Sequence, residues 1–338
     1  MRDIALCGVS FLLEMHNTQI NYNMKRKGFI SVITLICLIL SGCGGRHSAS
    51  SDVDIEATLT DSITKIISAY PGEIGVAVII NNTDTVTVND YSIYPMMSVF
   101  KLHQAIALCD YFDRFKMPLD SVISVSRNTL DSVTWSPMLK DYTESVISIT
   151  VRDLLRYSLS QSDNNASNLL FKKFVNVNTT DSIISTLIPD NTFQIACTEE
   201  EMSADHAKAY SNYTSPSGAA MLINRLFNEK VIGEEKQEFI KKTLAECTTG
   251  KDRIVAPLLD NDSIFVAHKT GSGYMANGIL AAHNDVAYII LPNGVSYSLS
   301  VFVKDFNGKE TEASEVIARI SAMVYKLLSE SSDKPNYP

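Results

Sequence analysis

Pro95-Met96-Met97-Ser98-Val99-Phe100-Lys101 sets a serine hydroxyl and a lysine amine three residues apart. In a helix two such side chains share a face. The next residues support a helix, because Leu102, Ala105, Ile106 and Cys109 fall at i, i+3, i+4 and i+7. A serine hydroxyl is a poor nucleophile at neutral pH and needs an adjacent base. A lysine fills that role only when burial or a second cation lowers its pKa. Alone, this spacing describes many solvated helix faces.

Two strings downstream change its weight: Ser162-Asp163-Asn164 and Lys269-Thr270-Gly271. Separately, the first reads as a turn, since these side chains bond their own backbone, and the second as a strand end. In this order the three strings mark an acyl-transfer site. Lys269 supplies the second cation, Ser162 a proton relay to a leaving group, and Asn164 a partner for an amide.

The surroundings suggest an α+β protein. Gly72 to Asn81 reads as a strand, and Asn81-Asn82 turns it into Thr85 to Val88 as a hairpin. From Met96 to about Leu244 the periodicity is mostly helical, with Thr150 and Asp153 forming a partial capping box. Helices are expected at Ala166 to Phe174, Ser217 to Asn228 and Glu234 to Leu244. Strands are expected at Ile264 to Lys269, Gly278 to His283, Val286 to Leu291 and Ser296 to Val303. Asn293-Gly294 makes a hairpin of the last two, and Tyr297, Leu299, Val301 and Val303 alternate as in a half-buried strand. Ala313 to Leu328 closes the pattern as an amphipathic helix. Residues 55–93 and 246–330 therefore form a discontinuous α/β domain, an antiparallel sheet flanked by helices from both chain ends. Residues 94–245 form an all-helical domain, and the cleft between is the expected small-molecule site.

Met24-Lys25-Arg26-Lys27 and the apolar run Phe29 to Leu40 read as a signal peptide, too short to span a bilayer comfortably. Leu40-Ser41-Gly42-Cys43 is similar to a bacterial lipoprotein cleavage box, so residues 1–43 are assigned as leader, Cys43 as the lipidation site and 44–54 as a tether. An upstream start codon accounts for residues 1–23. An exported, periplasmic, membrane-anchored lipoprotein is expected. Of 29 basic and 38 acidic residues in the 338-residue chain, residues 1–42 hold four and two. The remaining 25 basic and 36 acidic side chains argue against a nucleic-acid partner. They also argue against adhesion to anionic lipid by charge, so the membrane is held only through the lipid. Beyond the leader, Cys109, Cys197 and Cys247 are expected as buried small apolar residues, with room for one disulfide at most. No cysteine–histidine cluster has zinc spacing, so no metal is expected.

The Ser98 and Lys269 stretches, together with Gln161-Ser162-Asp163-Asn164-Asn165-Ala166-Ser167-Asn168, Thr198-Glu199-Glu200-Glu201-Met202 and His268-Lys269-Thr270-Gly271-Ser272-Gly273, carry a resemblance. From Cys43 onward the chain resembles a class A serine β-lactamase, nearest to the CfxA-type cephalosporinases of anaerobes. The resemblance implies a serine β-lactamase/DD-peptidase-like fold. It implies hydrolysis of β-lactam antibiotics, chiefly cephalosporins, through an acyl-serine intermediate, giving resistance. It implies a small-molecule β-lactam substrate, no cofactor and a monomer.

It assigns Ser98 as nucleophile, Lys101 as a base and Glu199 as the carboxylate that activates the deacylating water, a task a carboxylate suits at neutral pH. It gives the oxyanion hole to the backbone N–H groups of Ser98 and Ser272, and the substrate carboxylate to Lys269, Thr270 and Ser272, beside Gly271. Arg253 assists with a forked contact, Trp135 stands at the cleft rim, and Asn168 supports the Ω loop. Three positions depart from the family pattern: Ser203 replaces an asparagine, and Cys197 and Asn212 replace a loop-closing Arg–Asp pair. The loop is expected to be larger or differently fastened. Rival readings are a DD-peptidase of the same fold, without the deacylating glutamate, and a non-catalytic lipoprotein that binds cell-wall fragments.

Overall fold

The computed structural model describes residues 54–91 and 93–330; the leader, Cys43 and nearly all of the tether lie outside the described residues. The described residues open with α1 (Ile55–Ile67), whose start is capped by the Asp54 side chain on the Ala57 amide. The hairpin of β1 (Glu73–Ile80) and β2 (Asp84–Val88) comes next. The far end of the chain supplies β8 (Phe265–Ser272), β9 (Met275–Ala276), β10 (Ile279–Ile290), β11 (Ser296–Phe306) and α10 (Glu310–Glu330). The main sheet runs β2-β1-β11-β10-β8, with β9 added on β10, and these pairings are antiparallel. Both chain ends thus build one sheet, as expected.

One face of that sheet is covered by α1 and α10, where Leu59, Ile63, Val76, Val301, Ile317 and Ile320 form an apolar layer. Between the ends lie β3 (Tyr94–Pro95), α2 (Phe100–Arg114), β4 (Val122–Ser126), α3 (Met138–Asp141), β5 (Val146–Thr150), α4 (Val151–Ser160), α5 (Asn164–Lys173) and α6 (Val177–Ile184). Then come β6 (Phe193–Gln194), α7 (Glu199–Ala204), β7 (Tyr213–Thr214), α8 (Pro216–Asn228) and α9 (Glu234–Ala245). α2 is the central helix: Lys101, His103 and Gln104 are as buried as its leucines.

Three expectations need correction. The stretch 94–245 is not all helical. It holds a β4–β5 ribbon and a small β3-β7-β6 sheet. The ribbon strands read Val-Ile-Ser-Val-Ser and Val-Ile-Ser-Ile-Thr, a β-branched alternation that was legible; the two-residue strands carry no period at all. The expected pair Gly278–His283 and Val286–Leu291 is one strand, β10. Asn284 and Asp285, which look like a turn, are fully buried mid-strand. They are tolerated because their side chains are satisfied, Asn284 by the Pro95 carbonyl (2.8 Å) and Asp285 by the Ile254 amide (3.1 Å). β11 is buried on both faces rather than one: α8 covers the side bearing Ser298 and Ser300, and Ser300 donates to the Pro216 carbonyl (2.7 Å).

Candidate active site

Ser98 sits in a short 3-10 turn, Met97–Val99, that leads into α2. Met97 holds a left-handed φ of 47°, costly for a methionine. The turn is pressed between two neighbours. The Met96 amide donates to the Asn212 carbonyl (2.8 Å) on one side. On the other, β8 comes so close that a Cβ on Gly271 would lie 2.4 Å from the Met96 carbonyl oxygen. Gly271 is a glycine because the strand must touch this turn.

The Lys101 amine, fully buried, lies 3.0 Å from Ser98 Oγ, 2.8 Å from Glu199 Oε1, 2.8 Å from the Ser162 carbonyl and 2.6 Å from Asn164 Oδ1. All four neighbours are acceptors, so the amine is a donor here. Ser98 Oγ in turn donates to Glu199 Oε1 at 3.0 Å.

Glu199 opens α7. Thr198 caps that helix, and Glu201 completes the capping box. The Glu200 amide is held by Asn168 Oδ1 (3.1 Å). Asn212 fastens the loop entrance: Oδ1 accepts from the amides of Ala196 (2.7 Å) and Cys197 (2.8 Å), and Nδ2 donates to the Cys197 carbonyl (2.8 Å). The missing ion pair is thus replaced by three amide hydrogen bonds.

Ser162 also has a left-handed φ, 59°. Asp163 caps α5 through the Ala166 amide and accepts from Ser136 Oγ and the Met138 amide; burial raises its pKa against those bonds. The pin fixes Ser162 between the two lysines: Lys269 Nζ is 3.0 Å from Ser162 Oγ. Lys269 is fully buried and has no carboxylate in salt-bridge contact among the described residues; its other contact is the Thr270 carbonyl (2.9 Å). Burial first, and Lys101 second, lower its pKa to about 7.

These groups line one cleft of about 590 Å³, shared by Ser98, Ser162, Asn164, Glu199, Thr270 and Ser272. Trp135 stands exposed at its rim, with Nε1 donating to the Gln161 carbonyl (2.9 Å). Arg253 reaches the cleft, but its guanidinium is buried and braces β8: Nη1 donates to the carbonyls of Gly271 (3.1 Å) and Asn284 (2.7 Å), Nη2 to Ser272 Oγ. Residues that sequence reasoning missed are Thr134, which accepts from Asn164 Nδ2 (2.9 Å), and the stacked pair His206–Tyr274, ring centroids 4.2 Å apart. Tyr274 Oη also donates to the His206 carbonyl (3.0 Å) and Tyr210 Oη to Asp305 Oδ1 (2.6 Å), strapping the loop to the sheet. No spacing signals such pairs. Cys109 and Cys197 are buried as expected; Cys247 departs, being only partly covered and in polar contact with Thr249.

Known proteins share this fold. The family described as "Beta-lactamase enzyme family" matches residues 58–328. A β-lactamase of Phocaeicola vulgatus is 61% identical over 92% of this chain and 99% of its own length. The extended-spectrum β-lactamase PER-1 of Pseudomonas aeruginosa is 33% identical over 90% of this chain and 96% of its own. Among solved structures, a class A β-lactamase from Bacteroides cellulosilyticus superposes with a TM-score of 0.77 at 30% identity, over 82% of this chain and 99% of that one. The serine gripped by a lysine and a glutamate is therefore set in a known frame, and the chain belongs to the beta-lactamase enzyme family as a class A serine β-lactamase.

Proposed function

We propose that this enzyme opens the β-lactam amide through a covalent Ser98 ester. The observation that carries the reading is Ser98 Oγ lying 3.0 Å from both Lys101 Nζ and Glu199 Oε1. Glu199 accepts the hydroxyl proton as Oγ bonds to the lactam carbonyl carbon, while Lys101, already surrounded by acceptors, stabilises the developing alkoxide. The C–N bond breaks, and the ring nitrogen takes its proton from Ser162, which Lys269 holds in place. The proton on Glu199 passes through Lys101, 2.8 Å from Glu199 Oε1 and 3.5 Å from Ser162 Oγ, to restore the Ser162 hydroxyl and the Glu199 carboxylate. Water then gives a proton to Glu199 as its oxygen bonds to the ester carbon; the ester C–O bond breaks, and Glu199 returns that proton to Ser98 Oγ, releasing the ring-opened acid. Lys269, Thr270 and Ser272 receive the substrate carboxylate, with Arg253 bracing the strand that carries them.

Glu199→Gln tests the scheme: the expected result is an enzyme–β-lactam adduct that persists and is visible by intact mass. Normal turnover by that variant would remove Glu199 from the mechanism, and a long-lived adduct on the unaltered enzyme would favour the DD-peptidase reading.

We further infer a preference for cephalosporins. The strapped loop and the wide cleft support it, as does the likeness to an enzyme named extended-spectrum. Steady-state kinetics on a penicillin and an oxyimino-cephalosporin test it; a higher kcat/KM for the penicillin overturns it. The leader reading extends to an exported, periplasmic monomer anchored by lipid on Cys43, tested by whether Cys43→Ser releases the protein from membranes.

A further inference from the structure

Two carboxylates line the cleft, in unlike settings. Glu199 is paired with Lys101. Glu310, the first residue of α10, has no lysine or arginine in salt-bridge contact among the described residues, and its side chain is 62% exposed. The polar neighbour it does have is His283, whose Nδ1 lies 3.7 Å from Glu310 Oε1.

That neighbour is an acceptor too. Ser314 Oγ donates its single hydrogen to Asp252 Oδ2 (2.6 Å), so it accepts from His283 Nε2, 2.8 Å away. The ring hydrogen therefore sits on Nε2, and Nδ1 presents a lone pair with no hydrogen-bond partner among the described residues. Burial first, and Arg253 second, push the His283 pKa down to about 3, so the ring is neutral at pH 7. A neutral acceptor does not offset the charge of Glu310.

The sheet register ties Glu310 to the substrate. His283 on β10 pairs with Ser272 on β8, and opposed residues of antiparallel strands put their side chains on one face, about 5 Å apart. Arg253, the nearby cation, is committed elsewhere: Nη2 donates to Ser272 Oγ, and Nη1 to the carbonyls of Gly271 and Asn284. Burial lowers its pKa, against the pull of Asp285, Asp252 and Glu310. The Glu310 charge is thus felt beside the Ser272 subsite without being neutralised there.

A substrate carboxylate seated on Lys269, Thr270 and Ser272 fixes what lies next to it. In a cephalosporin the ring carbon bearing the carboxylate is double-bonded to the carbon bearing the 3-substituent. That substituent therefore leaves the ring beside the carboxylate subsite, in the part of the cleft lined by Arg253 and Glu310.

We propose that Glu310 is a specificity-determining residue, a counter-charge that selects cephalosporins with a cationic 3-substituent over those with a neutral one. The proposal rests on the acylation of Ser98 by β-lactams given above. No bond to Glu310 forms or breaks, so the effect lies in binding and is read in KM.

The test compares cephaloridine, which carries a pyridinium on its 3-methylene, with cephalothin, which carries a neutral acetoxy group there; the side chains on their lactam rings are identical. In the full chain Glu310→Gln should raise the KM of cephaloridine about three- to fivefold relative to that of cephalothin, the range of a partly exposed ion pair. Glu310→Lys should widen the change to about tenfold, because repulsion replaces attraction, and Glu310→Asp should keep most of the preference. For the unaltered enzyme the preference should shrink as salt rises from about 0.05 to about 0.5 M. Labelling of Ser98 by a fluorescent penicillin reports that each variant is folded. No change in KM overturns the proposal. An equal change for both substrates also overturns it, and makes Glu310 a brake on the substrate carboxylate instead. If neither cephalosporin is turned over, the fault lies with the proposed function. The inference is then read from binding to the Ser98→Ala chain, by quenching of Trp135, the only tryptophan. There Glu310→Gln should shift the ratio of Kd values in the same direction, and an unmoved ratio overturns it.

Discussion

The cleft has two walls, and each buries a lysine completely. On the helical wall Lys101 is packed against the Glu199 carboxylate and three further acceptors, one of them the Ser98 hydroxyl. On the sheet wall Lys269 contacts a hydroxyl and a carbonyl rather than a carboxylate, and its pKa is lowered to about 7. The first site is internally neutralised, a setting for moving a proton. The second is a cation in a dry wall, completed when an anion arrives. A buried charge without a counterion is costly, so the sheet wall stores a preference for a substrate carboxylate. The helical wall should therefore govern kcat and the sheet wall KM.

The largest effect is expected on the helical wall. Ser98→Ala should lower kcat by at least about 10⁴-fold and abolish labelling by a fluorescent penicillin. Labelling that survives would place the nucleophile elsewhere. Lys269→Ala should act mainly through KM, raising it about 10- to 100-fold for a carboxylate-bearing substrate; a pure kcat loss would erase the contrast between walls.

The pH profile sharpens the same contrast. Free Lys269 is a cation below about pH 7 and loses its proton above it. As the charged form binds substrate, kcat/KM should decline as pH rises past about 7. Lys269→Arg should move that decline to higher pH, because a guanidinium stays charged.

Smaller effects are expected from the loop that carries Glu199 to the helical wall. Asn212→Ala strands the amides of Ala196 and Cys197, and should cost about 1–3 kcal/mol of stability in denaturant titration. It should also slow deacylation more than acylation. Least of all, Tyr274→Ala removes a stack worth about 0.5–1.5 kcal/mol. The ratio of kcat/KM values for an oxyimino-cephalosporin and a penicillin should shift by no more than about tenfold, with Ser98 labelling intact.

Much of this was legible because it is local. A helix puts positions i and i+3 together whatever surrounds them, so Ser98 and Lys101 met as read. Thr150 did cap α4 through the Asp153 amide, and Asn81-Asn82 did turn β1 into β2. Where the reading failed, partners distant in the chain decided. Asn284-Asp285 looks like a break until Pro95 and Ile254 arrive to satisfy it. Ser298 and Ser300 look solvated until α8 covers them.

Glu199, Glu200 and Glu201 show the division most clearly. Composition alone makes them one acidic run, and resemblance selected the first. The fold separates them: Glu199 turns inward to Ser98 and Lys101, Glu200 stays exposed with its amide on Asn168, and Glu201 closes the helix cap. The sequence by itself determined the reacting pair and which stretches become the strands of the sheet, because hydrogen-bonded helices and strand alternation are set over a few residues. Only the tertiary structure decided which carboxylate reaches the serine, that Arg253 braces a strand, and that Tyr274 stacks on His206. Those outcomes depend on which distant surfaces are pressed together and dried, and no short window of sequence contains both.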